Sequence, residues 1–259
     1  MLQGLTPMLS SATWLLSLPQ LWPVKPDLDL RTVPAFLGLL FVMGEAHEIV
    51  HTAVGRLLCG CWGPRDFNVW GLCEGCSEEV SFAILATIVG PVFTFGVIWW
   101  GFALLRAGAS PEQKSMGFCL VFGNMPAARI FTAAMGGGDE VYSLQHIFAD
   151  GGDSTPLWIL GIVIVGVLSA PPLYRGFRVL SSKWRWPPFL GFLLLPFVIY
   201  LLVVLGGMNT LLDQGLLDQD GLIGSPVLLN VWTVFWVGLL AATWTELSSL
   251  LVPAEAETA

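Results

Sequence analysis

About six apolar stretches, each long enough to cross a bilayer, leave this 259-residue chain one kind of fold: a bundle of membrane helices with short connections. They run over roughly 34–58, 80–106, 115–134, 156–174, 187–207 and 226–252. Hydrophobic residues make up 55% of the chain and charged residues 12%, which fits an all-α integral membrane protein and leaves no room for a sizeable soluble domain. Asn124, Pro126 and Arg129 interrupt the third stretch. Pro171-Pro172 is expected to end the fourth, and Pro196 to kink the fifth. Residues 1–33 form a separate N-terminal piece. The segment from Leu9 to Trp22 is short, is broken by Pro19 and Pro23, and has no basic start. It reads as interfacial or re-entrant and not as a cleaved signal. The expected division is thus 1–33, a three-span core over 34–155, and three further spans with a short tail over 156–259.

The net charge is −8, and its distribution says more than its size. The connection after the fourth span carries Arg175, Arg178, Lys183 and Arg185 without an acid, and Arg106 and Lys114 flank the one after the second. The alternate connections are acidic: Glu74, Glu78 and Glu79; Asp139, Glu140, Asp150 and Asp153; Asp213, Asp218 and Asp220. Because basic loops stay on the cytoplasmic side, a multi-pass topology with both termini cytoplasmic is expected. The expected surroundings are a lipid bilayer. No basic patch points to nucleic acid.

The first span contains His47-Glu48-Ile49-Val50-His51, an HExxH motif. Histidines at i and i+4 lie on one helix face and can grip one metal ion, and the glutamate beside the first can take a proton from water. Ionisable groups are costly inside a bilayer, at least ~2.5 kcal/mol each at its centre, so such a cluster reads as functional and not as packing. The expected ion is Zn2+. A catalytic zinc takes three protein ligands, and the third must come from elsewhere in the chain. Asp139 follows three glycines at the outer end of the third span, on the same membrane side as the motif; Glu140 and His146 are the other candidates. Glu45 reads as a partner that orients a histidine. Arg129 reads either as a partner of Asp139 or Glu140 or as a side chain reaching to the interface.

Cys59, Cys61, Cys73 and Cys76 fall in one external loop (59–79), as C-x-C followed by C-x-x-C. Two disulfides are the expected state in an oxidising compartment, with a structural zinc held by four thiolates as the rival. A stapled loop there can cap the site. Cys119 reads as a small buried apolar residue.

From His47 to Asp139 the chain resembles the site-2 protease family of intramembrane zinc metalloproteases. That family carries HExxH on one core span, Gly-Pro-x-x-Asn on the next, and an Asn/Pro-rich segment ending in Asp-Gly on a third. Here those elements are His47 to His51, then Gly90-Pro91-Val92-Phe93-Thr94, then Asn124, Pro126 and Asp139. The resemblance covers roughly residues 34–146. Thr94 stands in place of the family's Asn, and Glu140 in place of its Gly. The resemblance implies a three-helix metalloprotease core with His47, His51 and Asp139 as zinc ligands, Glu48 as general base, and Asn124 beside the substrate backbone or the oxyanion. It implies a zinc-dependent endopeptidase acting on membrane-associated protein or peptide. The alternatives are an inactive metal-binding scaffold or pseudoprotease and, further off, a metal transporter.

Overall fold

The structure, a computed structural model, describes residues 24–76, 82–149, 151–181 and 185–254. The N-terminal segment 1–23, the loop charges Glu78, Glu79, Asp150 and Lys183, and the tail 255–259 lie outside the described residues. The molecule is mainly helical. Five helical runs are long and apolar enough to cross a membrane: Thr32–Cys59, Leu85–Leu104, Thr155–Val179, Trp186–Asp213 and Val227–Ser249.

Helix α1 (Thr32–Cys59) is started by a local bond pattern that the sequence writes as Asp-Leu-Arg-Thr. Asp29 Oδ1 accepts from the backbone N–H of Thr32 at 2.7 Å and of Arg31 at 2.9 Å, and Thr32 Oγ1 accepts from the N–H of Asp29. These bonds hold the Asp29 carboxyl below the usual carboxylate range. The contribution of this cap is therefore present above the unfolded pKa and lost as pH falls through the depressed value. Gly60, with φ of 78°, ends α1 in the left-handed conformation. Helix α2 (Leu85–Leu104) packs antiparallel to α1 and leads into α3 (Pro111–Gly123). Helices α2 and α3 approach closely through Gly101 and Gly117, where a Cβ on either would come within 2.7 Å of the other's carbonyl oxygen. Small residues at such crossings let membrane helices pack by van der Waals contact.

The third apolar stretch is not one helix. Helix α3 stops at Gly123 and α4 (Pro126–Ala134) follows; α5 (Asp139–Phe148) then leaves the line of α3 and α4 at 45°. Three residues make the interruption between α3 and α4. The Asn124 side-chain amide donates to the Leu120 carbonyl at 2.7 Å, Met125 takes a left-handed conformation (φ 49°), and Pro126 has no N–H to continue the ladder. The glycines after α4 make the second turn, Gly136 and Gly138 both at positive φ.

The fourth apolar stretch forms one helix, α6 (Thr155–Val179), which continues through Pro171 and Pro172, against the expectation that they end it. Pro172 leaves the Leu168 carbonyl without its helical donor, and the indole N–H of Trp99 on α2 supplies one at 3.1 Å. Neighbouring groups often re-satisfy a proline-broken ladder in this way in membrane helices. The next run begins as α7 (Trp186–Tyr200) and widens to a π-helix at Leu201–Met208, five residues past Pro196, before α8 (Asn209–Asp213). The last run is α9 (Val227–Thr243), tightening to a 3₁₀ turn at Trp244–Ser249. An aromatic seam of Phe36, Phe118, Phe122 and Phe192 joins α1, α3 and α7. Cys119 is buried in the same core, as expected. Strands β1 (Val24–Pro26) and β2 (Leu251–Pro253) pair antiparallel, an addition to the all-α expectation.

The cysteine loop is closed by two nested disulfides, Cys59–Cys76 and Cys61–Cys73, so the four-thiolate zinc is set aside. Inside the loop Arg65 and Trp70 bridge a tight reversal. Arg65 is buried and forms an ion pair with Glu45 at 3.0 Å; Thr233 on α9 donates to the same carboxylate, and Arg65 donates to Ser225. Glu45 thus anchors the loop and α9 to α1 and does not orient a histidine, contrary to the expectation from its place before the motif. Both partners are desolvated, so Glu45→Ala is expected to leave an uncompensated guanidinium and destabilise the fold by about 3–5 kcal/mol. Thermal unfolding in detergent measures this, and an unchanged midpoint contradicts it.

Candidate metal centre

His47 and His51 lie one turn apart on α1, and both Nε2 atoms point at Asp139, the first residue of α5. The three donor atoms form a near-equilateral triangle. His47 Nε2 and His51 Nε2 are 3.1 Å apart, His47 Nε2 and Asp139 Oδ2 3.1 Å, and His51 Nε2 and Asp139 Oδ2 3.4 Å. Donors bound tetrahedrally at ~2.0–2.1 Å lie about 3.3 Å apart, so the triangle fits one face of a tetrahedral metal site. Of the three candidates for the third ligand, Asp139 is the one brought to the histidines. Glu140 is buried nearby but outside the triangle, and His146 stacks on Tyr142 at the exposed face of α5.

The far nitrogens of both rings are also engaged. His51 Nδ1 donates to the carbonyl of Ala86 at 2.6 Å, and His47 Nδ1 lies 2.8 Å from Thr94 Oγ1. Both partners are on α2 or its entrance turn. A ring that donates from Nδ1 keeps a bare lone pair on Nε2, and such outer partners fix both tautomer and orientation at metal sites. Thr94 therefore has a positioning role at the place where the resembled family has Asn. It lies one helical turn after Gly90, whose role is steric: a Cβ there would overlap His51 Nε2 and the rings of both histidines. The Gly-x-x-x-Thr spacing on one face was the available signal for both. Trp70, at the base of the disulfide-closed loop, covers the other side of His51, with ring centroids 4.5 Å apart and 8° between planes. The loop does cap the site.

The triangle opens into a cavity of about 540 Å³. Its walls include Glu48, Thr94, Asn124, Arg129, Tyr142 and Tyr200, with further apolar groups from α7 and the π-helix. Glu48 is buried and its Oε2 has no hydrogen-bond partner. A buried carboxylate oxygen left free costs stability unless something else uses it. Asn124 lines the cavity, but its amide donates to Leu120 and so also holds the break between α3 and α4. Arg129, on α4, reaches Asp139 Oδ2 at 3.3 Å and His47 Nε2 at 2.5 Å, which removes the interface-reaching reading of its side chain. A cluster of two histidines and one aspartate so arranged can bind a metal ion.

Compared with family models, curated proteins and solved structures, the chain matches none.

Proposed function

We propose that the protein is a multi-pass membrane zinc endopeptidase that hydrolyses peptide bonds of membrane-associated proteins. The observation that carries this reading is the position of Glu48. It is a buried carboxylate with a free oxygen, on the wall of the cavity that the donor triangle opens into, one residue along from a metal-fitting histidine. A metal scaffold needs the three ligands and has no use for such a group. The resemblance to site-2 proteases along 34–146 supports the same reading, and so does a helix set long and apolar enough to span a bilayer.

His47, His51 and Asp139 are the residues that would hold zinc. When bound, the ion supplies Lewis acidity to the scissile carbonyl and to the attacking water. Glu48 takes the water's proton and later delivers it to the leaving amine. Thr94 and the Ala86 carbonyl keep both imidazoles aimed while charge develops. Hydrolysis inside a bilayer needs water, and the cavity beside Glu48 is its route to the site. A substrate helix has to unwind locally before cleavage, because its peptide groups are hydrogen-bonded along the helix.

Cleavage of a fluorescent transmembrane peptide by the protein reconstituted in liposomes tests this. Hydrolysis is expected, abolished by a chelator and restored by zinc. Peptide retained but uncut leaves the inactive-scaffold alternative, and zinc flux without cleavage leaves the transporter.

A further inference from the structure

Arg129 is the one cation at the donor triangle among the described residues, and it bonds to the atoms that a metal would use. Its Nη2 stands 2.5 Å from His47 Nε2, and its Nη1 is 3.3 Å from Asp139 Oδ2. An imidazole nitrogen offers one in-plane lone pair, so it accepts an N–H or binds a cation, not both. A guanidinium and a divalent ion on the same edge also repel one another. The next residue along α5 is the complementary half of the arrangement. Glu140 is buried, neither of its carboxylate oxygens has a hydrogen-bond partner, and Oε1 lies 4.0 Å from Arg129 Nη1. A shift of about 1 Å brings that pair to charge-assisted hydrogen-bond distance. Arg129 sits on the nine-residue helix α4, which enters through the left-handed Met125 and lines the same cavity.

We propose that Arg129 competes with the metal for His47 and Asp139, and that Glu140 receives the guanidinium as the metal binds. The pair then sets the metal affinity from outside the ligand set. Arg129 neutralises Asp139 until a stronger cation arrives, and Glu140 offsets the cost of displacing it. This rests on the metal-binding part of the function proposed above and is independent of proteolysis.

Zinc affinity, measured by chelator competition on the full chain in detergent, tests the exchange. Wild type, Arg129→Met, Glu140→Gln and the double variant are compared. Hydrogen bonds to charged groups are worth enough that Arg129→Met is expected to tighten zinc binding about 10- to 100-fold. Glu140→Gln is expected to weaken it about tenfold alone and to change it little in the Arg129→Met background, a coupling that a double-mutant cycle isolates. Arg129→Met binding zinc as weakly as wild type or more weakly overturns the proposal, as does an equal effect of Glu140→Gln in both backgrounds. Arg129→Gln, neutral but polar, replaces the methionine variant in the same comparison if that variant does not fold. The shifts without any peptide cleavage sink the hydrolase reading and leave the exchange standing. Cleavage without the shifts does the reverse.

Discussion

Glu48→Gln is expected to lower peptide-bond hydrolysis by about 100- to 10,000-fold while leaving the bound metal in place. The glutamine is isosteric and fits the same buried space on α1, so the helix and both neighbouring histidines keep their packing. What it loses is the capacity to accept a proton, which in a positioned general base contributes a factor of that size. Kinetics on the reconstituted protein, with metal content measured on the same samples, separates the roles. Turnover within a few-fold of wild type removes Glu48 from the chemistry. Loss of metal along with turnover makes it a structural partner of the site, and its free oxygen then carries no catalytic meaning.

The second large effect is steric. In Gly90→Ala the added methyl is fixed to the backbone of α2 and overlaps both imidazoles. The rings have little freedom to retreat, since His51 is held between the Ala86 carbonyl and the Trp70 ring, and His47 is held by Thr94. Overpacking of this kind costs about 1–3 kcal/mol in stability, and loss of outer-partner alignment costs about 10- to 100-fold in metal affinity. Gly90→Ala is expected to show both. Gly96→Ala on the same helix is the control, because a Cβ there meets nothing within 4 Å. Equal metal affinity in the two variants contradicts the close fit of α2 against the histidines.

The parts of the site legible in the sequence are those encoded by short spacing. His47 and His51 on one helix face need only a 3.6-residue period, and Asp139 is marked by the glycines that let the chain turn before it. The parts that are not legible depend on contacts between distant segments. The role of Glu45 is hidden because its partner, Arg65, is buried only through the folded loop, itself closed by disulfides whose pairing the spacing leaves open. Arg129 allows two readings because its partners, His47 and Asp139, come from α1 and from beyond the 45° turn before α5, and a sequence signals such a turn without giving its angle. Pro171 and Pro172 look terminal because their remedy, the Trp99 indole, comes from another helix. The pairing of Val24–Pro26 with Leu251–Pro253 joins three-residue segments at the two ends of the described chain, too short to carry a periodic signal.

The most direct test of the metal centre is the zinc content of the purified protein by elemental analysis, for wild type, His47→Ala and Asp139→Ala. About one zinc per chain is expected in the wild type, with its loss in both variants, because His47, His51 and Asp139 each supply one corner of the donor triangle. Zinc retained in Asp139→Ala, or none in the wild type after purification with zinc present, contradicts a centre built from these three residues.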